Sequence, residues 1–345
     1  MTKFYLFIYE KGHRVIMNWE NKNVLITGMA GFLAPHIAKI LLKSNANIVG
    51  CVHDLKKNSF CEMEGIDKKI SIAEVDINNI DRIKEVLANY EIDYIFHCAA
   101  NSIVKSCVKD PIGAFKTNII GTANILEAAR LIGGVHGIMC MESDKSYGSF
   151  DKNDLPYLED HPIKPVNVYE VSKACSGLIA NAYSNNYGLS VFTVRAANLY
   201  GPGDNNLSRI IPGSILRILN GNSPFLYSGV ASYVREFLYV EDASKAIVKL
   251  MERIDVSKSN VFNIGSNSIH RIDELMDIIV DKFPSKIKIN LVDKDPLFKE
   301  IEEQYVDYSK LMKIVPEFSP RSFEAGLDPT IEWYRAHFKS MAIPS

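Results

Sequence analysis

Six cysteines are scattered through 345 residues, at positions 51, 61, 98, 107, 140 and 175, with no C-x-x-C pair and no metal-ligand spacing. That excludes a disulfide framework and a zinc module, so no metal is expected. Several of these cysteines fall in apolar runs, where a buried reduced thiol is the ordinary state. A cytoplasmic location is the expectation that follows. Long apolar runs are missing too. Phe4 to Tyr9 is far short of the roughly 20 residues that span a bilayer, and charges follow it at once. No small-residue cleavage site appears after it. Neither sign of charge dominates: 39 Lys and Arg stand against 41 Asp and Glu, a net charge of −2. A nucleic-acid or membrane partner is therefore not expected. Repeats and low-complexity segments are absent as well, which excludes solenoids and linker-rich chains.

What is present is alternation of strand and helix. Asn23 to Thr27 is a short apolar run with the character of a buried parallel strand. Gly28-Met29-Ala30-Gly31-Phe32-Leu33-Ala34 follows, and Ile37, Ala38, Ile40, Leu41 and Leu42 then recur at helical spacing. Strand, glycine turn and helix are the context of a dinucleotide fingerprint. Gly28 allows the tight turn and Gly31 lets the backbone approach a pyrophosphate at the helix N-terminus. An ordinary strand-to-helix turn is the competing explanation. Further strands are expected at 48–52, 70–76, 94–100 and 137–141, with helices at 81–89 and 118–130. The predicted fold is α/β: a Rossmann-type doubly wound parallel sheet with a smaller C-terminal α/β substrate-binding lobe. The expected division is an N-terminal tail at 1–20, a cofactor-binding domain at 21–200 and a substrate lobe at 201–345, interleaved. Met17 could serve as the working start, leaving 1–16 as the tail. Gly201-Pro202-Gly203 marks the boundary.

Two patches carry chemistry. Tyr169 and Lys173 are four apart and so share one helix face. An ammonium beside a phenol favours phenolate, which would let the tyrosine act as a base at neutral pH. The other patch is Ser143-Asp144-Lys145-Ser146-Tyr147-Gly148, at the carboxyl end of the strand expected at 137–141. Ligands of open α/β sheets bind at that edge. By itself Tyr-x-x-x-Lys is weak in a chain with 16 tyrosines. Its meaning comes from converging with the glycine turn.

Taken in order, these motifs resemble the extended short-chain dehydrogenase/reductase family, in its NAD-dependent nucleotide-sugar epimerase/dehydratase branch. The resemblance covers roughly residues 20 to 338. It is carried by Thr27-Gly28-x-x-Gly31-Phe32-Leu33, Asp76, His97-x-Ala99-Ala100, Asn118-x-x-Gly121-Thr122, Ser143-x-x-x-Tyr147-Gly148 and Tyr169-x-x-x-Lys173. Arg195-x-x-Asn198-x-Tyr200-Gly201-Pro202-Gly203-Asp204 and Arg235-Glu236-Phe237-x-Tyr239-Val240-Glu241-Asp242 complete it. Asp144-Lys145 resembles the pair in CDP-glucose 4,6-dehydratases and in inverting UDP-N-acetylglucosamine 4,6-dehydratases. The segments around Trp19, Arg209 and Glu303–Asp307 lean towards the CDP-glucose type. The glycine turn departs from it by lacking a Lys and a Trp, and Arg235-Glu236-Phe237 is more like the dTDP-glucose type.

The resemblance implies roles. NAD is the expected cofactor, with NADP less favoured. Gly28, Gly31, Phe32 and Leu33 would meet its pyrophosphate. Asp54, at the end of the second strand, would bond the ribose, although His53 beside it could tolerate a 2′-phosphate. Asp76 and Ile77 would meet the adenine, unless Asp76 serves only its turn. Ala99, Ala100 and Asn118 would back the cofactor, Asn118 alternatively being a helix N-cap. Tyr169, helped by Lys173 and Ser143, would take the C4 hydroxyl proton. Asp144 would be the acid for the leaving hydroxide, and Lys145, if neutral, the base for the C5 proton. A loop ion pair is the competing explanation for Asp144 and Lys145. Arg235 would neutralise the nucleotide sugar's diphosphate, with Asn198 and Arg209 as weaker candidates. A homodimer through helices near 115–130 and 169–186 is expected. A 4-epimerase or C4 reductase on the same scaffold stays open as an alternative, and a non-catalytic dinucleotide sensor more remotely.

Overall fold

The computed structural model describes residues 17–54, 58–253, 260–284, 287–293 and 300–337. The tail expected at 1–16 lies outside them. Within residues 17–20, counted with that tail from sequence, Trp19 instead belongs to the core. Trp19 is 2% exposed, packs edge-on against Tyr94 and donates its indole N–H to Glu252 at 2.8 Å. A buried indole with its N–H satisfied anchors the chain where a tail was expected.

The strands in chain order are β1 Asn23–Thr27, β2 Asn47–Val52, β3 Ser71–Glu74, β4 Tyr94–His97, β5 Gly137–Met141, β6 Val191–Ala196 and β7 Asn198–Tyr200. They continue as β8 Phe225–Tyr227, β9 Val234–Tyr239, β10 Asn260–Ile264, β11 Ile269–Arg271, β12 Asn290–Val292 and β13 Glu303–Gln304. Seven form one parallel sheet in the order β10-β6-β5-β4-β1-β2-β3. β10 thus returns to the sheet from the chain beyond Gly201.

Period-two alternation divides each central strand between two cores. Val24 and Ile26 of β1 join Leu33, Ile37 and Leu41 of the helix Leu33–Lys43, together with Ala243, Ile247 and Leu250 of the helix Val240–Arg253. Leu25, between them, points to the other face. There it joins Val49, Ile83 and Leu87, and Ile125 and Leu126 of the helix Gly121–Ile132. Helices on both faces explain why β1 reads as an unbroken apolar run.

Three elements differ from the sequence reading by two residues or more, and the first is β4, expected to reach Ala100, which stops at His97. β3 stops at Glu74, not Asp76, because Asp76 folds back on itself: its Oδ1 accepts from the Asn78 amide at 2.9 Å. The helix expected from Asn118 begins at Pro111 and passes through a π-helical turn at Lys116–Ile120 before Gly121–Ile132. Asn118 is therefore interior to that turn and is not an N-cap. Beyond β6, β7 and β13 flank β9 in parallel, and β11 joins β9 antiparallel, making the smaller sheet that faces the cavity.

Candidate active site

Strand order reverses between β1 and β4, and the crevice at such a point is where ligands of these sheets bind. A cavity of about 1660 Å³ opens there, lined from the glycine turn to Arg235. Gly28 has φ 76°, and a Cβ on it would come within 2.8 Å of the Ala99 amide nitrogen. Only glycine fits both conditions. The next helix starts at Leu33 with no side-chain cap and no acidic residue in its first turn. Its free N–H groups, with Gly31, Phe32 and Leu33 on the cavity wall, suit a pyrophosphate. Asp54, Asp76, Ile77, Ala99 and Ala100 line the same wall. For Asp76, the turn role and the cavity position coexist.

Behind the wall runs a hydrogen-bond chain of one sense. The Ala99 amide donates to Thr27 Oγ1 at 3.1 Å, and Thr27 lies 2.8 Å from His97 Nδ1. His97 Nε2 lies 3.0 Å from Thr122 Oγ1, whose own hydrogen goes to the Asn118 carbonyl at 2.7 Å. Thr122 can only accept from the histidine, so Nε2 carries the proton and Nδ1 accepts from Thr27. Burial pushes His97 down to about 3, which keeps it neutral. Asn118, 1% exposed, donates to the Asn101 carbonyl at 3.0 Å and to Ser172 Oγ at 2.8 Å, and Ser172 donates to the Tyr169 carbonyl at 2.8 Å. Asn118 therefore ties the cofactor wall to the tyrosine helix without facing the cavity itself.

That helix, Val168–Tyr187, starts with a capping box. Asn167 Oδ1 accepts from the Glu170 amide at 3.0 Å, and Glu170 Oε2 accepts from the Asn167 amide at 3.2 Å. Such a cap is worth about 1 kcal/mol, and here it fixes the turn that carries Tyr169. Tyr169 and Lys173 both line the cavity, but the expected lowering of the phenol is not found. Burial pushes Tyr169 up to about 12, opposed by the contact with Ser143. The Lys173 ammonium donates instead to the Met141 carbonyl, and burial lowers its own pKa. Desolvation is the largest influence on both groups, and neither is among the charges that act most on the other.

Ser143, Asp144 and Lys145 come together at the end of β5. Ser143 Oγ donates to Asp144 Oδ1 at 3.3 Å and accepts from the Lys145 amide at 3.2 Å. Asp144 is 2% exposed and its Oδ2 has no hydrogen-bond partner. Burial raises its carboxyl to about 6, Lys145 opposing and Glu236 assisting. Burial lowers Lys145, and Arg235 adds to that. A solvated loop ion pair would do the opposite to both groups. Burial moves this pair towards a neutral acid beside a neutral amine, the form that acid–base elimination uses.

On the opposite wall, Asn198 donates to the Glu236 carbonyl at 3.2 Å and Arg209 pairs with Asp204 at 3.0 Å. Arg235 is neither surface-exposed nor open. It is 6% exposed, and it donates to the carbonyls of Val234, Ile301 and Glu302 and to Glu300 Oε2 at 3.4 Å. Much of its donor fork is spent on the chain at 300–302, which is how β13 docks beside β9. Sequence reasoning missed Glu142. This carboxylate, 2% exposed, pairs with Arg195 at 3.0 Å and stands so close to Gly177 that a Cβ there would lie 2.5 Å from it. An acid directly before Ser143 at the end of an apolar strand was the available clue. Among the described residues no cluster of His, Cys, Asp or Glu could hold a metal, and no helix is long and apolar enough to cross a membrane.

Residues 24–265 match the model of the NAD dependent epimerase/dehydratase family. The chain belongs to that family. NAD dependence comes with the membership, and the uncapped helix behind the glycine turn is consistent with it. An Arabidopsis thaliana protein named as a trifunctional UDP-glucose 4,6-dehydratase, 3,5-epimerase and 4-keto-rhamnose reductase is 30% identical over 92% of this chain. This chain spans 48%, about half, of that relative's length. The UDP-glucose 4-epimerase of Thermotoga maritima, solved with UDP-glucose, superposes with a TM-score of 0.83 at 26% identity. That match covers 91% of this chain and 99% of the other. The dTDP-glucose 4,6-dehydratase of Bacillus anthracis, solved with NAD, gives 0.81 at 26% identity, over 92% and 98%.

Proposed function

We propose that the protein is a nucleotide-sugar 4,6-dehydratase, converting an NDP-hexose to an NDP-4-keto-6-deoxyhexose. The observation that carries this is Asp144: a buried carboxyl raised to about 6, with one oxygen unpartnered, next to a lysine lowered by the same burial. A 4-epimerase has no use for that acid, because no hydroxide leaves.

Bound NAD supplies a hydride acceptor at C4, a hydride donor at C6 and a positive charge that favours the Tyr169 phenolate. Tyr169 accepts the C4 hydroxyl proton while Ser143 holds the oxygen. The C4 ketone then acidifies the C5 hydrogen. Lys145, as the neutral amine, removes the C5 proton. Asp144 protonates the departing C6 hydroxide, so one water leaves. As C6 is reduced, the proton held by Lys145 returns to C5, and the proton taken by Tyr169 restores Asp144 through solvent, so the proton count closes. Gly28, Gly31 and the uncapped helix hold the cofactor, and Asp54 is the candidate for its ribose. Arg209 and Asn198 are the cavity groups assigned to the nucleotide sugar. Arg235 would have to release part of its present bonding to reach the diphosphate.

The sugar carrier is assigned to the pyrimidine nucleotides. The plant relative is named for UDP-glucose and the Bacillus enzyme for dTDP-glucose, so the CDP preference read from the sequence gains no support from them. Incubation with CDP-, UDP-, dTDP- and GDP-glucose, followed by mass spectrometry, tests the proposal. Loss of one water from at least one pyrimidine sugar is expected. An isomer of unchanged mass would install the epimerase reading.

A homodimer is part of the same reading. Ile112, Ile120 and Leu131 on the helical run 111–132, and Leu178 and Tyr187 on Val168–Tyr187, are between 51% and 62% exposed. Leu178 and Tyr187 of the second helix are thus not spent inside the subunit. An apolar face of that kind is suited to a second copy. Sedimentation at micromolar concentration should give a dimer, and a monomer would remove this part.

A further inference from the structure

β13 brings Gln304 to the acid–base pair. Its register with β9 sets Gln304 opposite Arg235, and its Oε1 accepts from Lys145 Nζ at 3.4 Å. The side chain is fully buried, and its Nε2 has no hydrogen-bond partner. A lysine only donates, so the carboxamide oxygen must face it. The segment around Gln304 is clamped on both sides. Arg235 holds the carbonyls of Ile301 and Glu302, and Glu236 Oε2 accepts from the Val306 amide at 3.0 Å. Lys152 pairs with Glu303, and the Tyr157 amide donates to the Tyr305 carbonyl at 3.0 Å. A glutamine this firmly held, with half its amide unpaired, is expensive to bury unless it serves something.

We propose that Gln304 is a positioning residue for Lys145: its neutral oxygen takes one N–H of the amine and leaves the lone pair free for the C5 proton. The inference rests on the dehydratase reading, since it gives Lys145 the base's part. A carboxylate in the same place would do the reverse. It would hold an ammonium, whose lone pair is occupied. The charged groups around Lys145 are Arg235 on β9, Asp144 beside it, Glu300 before β13 and Glu170 on the tyrosine helix. A neutral partner at 304 adds no further negative charge to that set. The 3.4 Å contact is at the long end, as acid–base contacts often are before substrate arrives.

Gln304→Glu is the test, on the full chain loaded with NAD and with whichever of UDP-, dTDP- or CDP-glucose loses water. C4 oxidation, read as reduced-nicotinamide absorbance in a single turnover, should persist. The acidic limb of the elimination rate should move up by about one pH unit or more, which is about tenfold slower elimination on that limb. Exchange of the C5 hydrogen with D2O should fall in step. An unmoved limb in folded Gln304→Glu protein would overturn the proposal. Should that variant fail to fold, Gln304→Met takes its place. Slowed C5 exchange with oxidation retained supports the proposal, and wild-type exchange overturns it. Lys145→Met separates the two levels. If it still exchanges C5 hydrogen and eliminates water, the base assignment itself fails, whatever Gln304 does.

Discussion

Tyr169→Phe should lose turnover by at least about 10²- to 10⁴-fold, the usual contribution of a positioned proton-transfer group. NAD affinity, measured by direct titration, should stay within a few-fold of wild type. The substitution removes one oxygen and keeps the ring in its half-buried place on the capped turn. Tyr169 hydrogen-bonds Ser143, and its phenol is up at about 12 before ligands arrive. The free protein therefore stores the tyrosine as a phenol, and bound ligands must supply the charge that makes it a base. The ligand-free enzyme should show no phenolate absorbance at neutral pH. A Tyr169→Phe variant with near-normal turnover would take the residue out of the mechanism.

Asp144→Asn should separate oxidation from elimination. The carboxyl donates only after C4 has become a ketone, so the variant should still reduce the cofactor and then stall with its absorbance high. Product should fall by about 10²- to 10⁴-fold. Asparagine keeps nearly the same volume in a 2% exposed site, which limits the structural loss. The sign of the pH effect follows from the role. An acid raised to about 6 works protonated, so the wild-type elimination rate should fall as pH rises through that region, with Lys145 setting the opposite limb. A stalled variant that regains elimination at high pH would exclude Asp144 as the acid.

The parts of this site that sequence made legible are those carried by local patterning. The run Asn23–Thr27 is apolar because both its faces are covered, and Gly28 needs a positive φ and a close approach to Ala99. Both facts are written in consecutive residues. The position of Ser143, Asp144 and Lys145 at the carboxyl edge of the sheet is legible because the apolar run of β5 ends just before them. What stayed hidden depends on partners distant in sequence. Arg235 looks available from its motif, yet its guanidinium is bound to the chain at 300–302, some 65 residues away. Gln304 lies in the segment Glu303–Asp307 that resemblance singled out, but nothing local ties it to Lys145, and only the pairing of β13 with β9 brings the two together. The phenol's pKa was misjudged for a related reason. Helical spacing predicts that Tyr169 and Lys173 share a face, but not that burial dominates both and that the Lys173 ammonium is turned to the Met141 carbonyl. The tail was misjudged at Trp19, whose burial partners are Tyr94 and Glu252.

The central claim is that water leaves across C5 and C6 while the hydride is only lent to the cofactor. Wild-type enzyme given the C4-deuterated form of the sugar it turns over, and followed by mass spectrometry and NMR, tests this most directly. The account predicts a product lighter by one water, with the deuterium now on the C6 methyl group and no net consumption of NAD. Deuterium retained at C4 in a product of unchanged mass would contradict it.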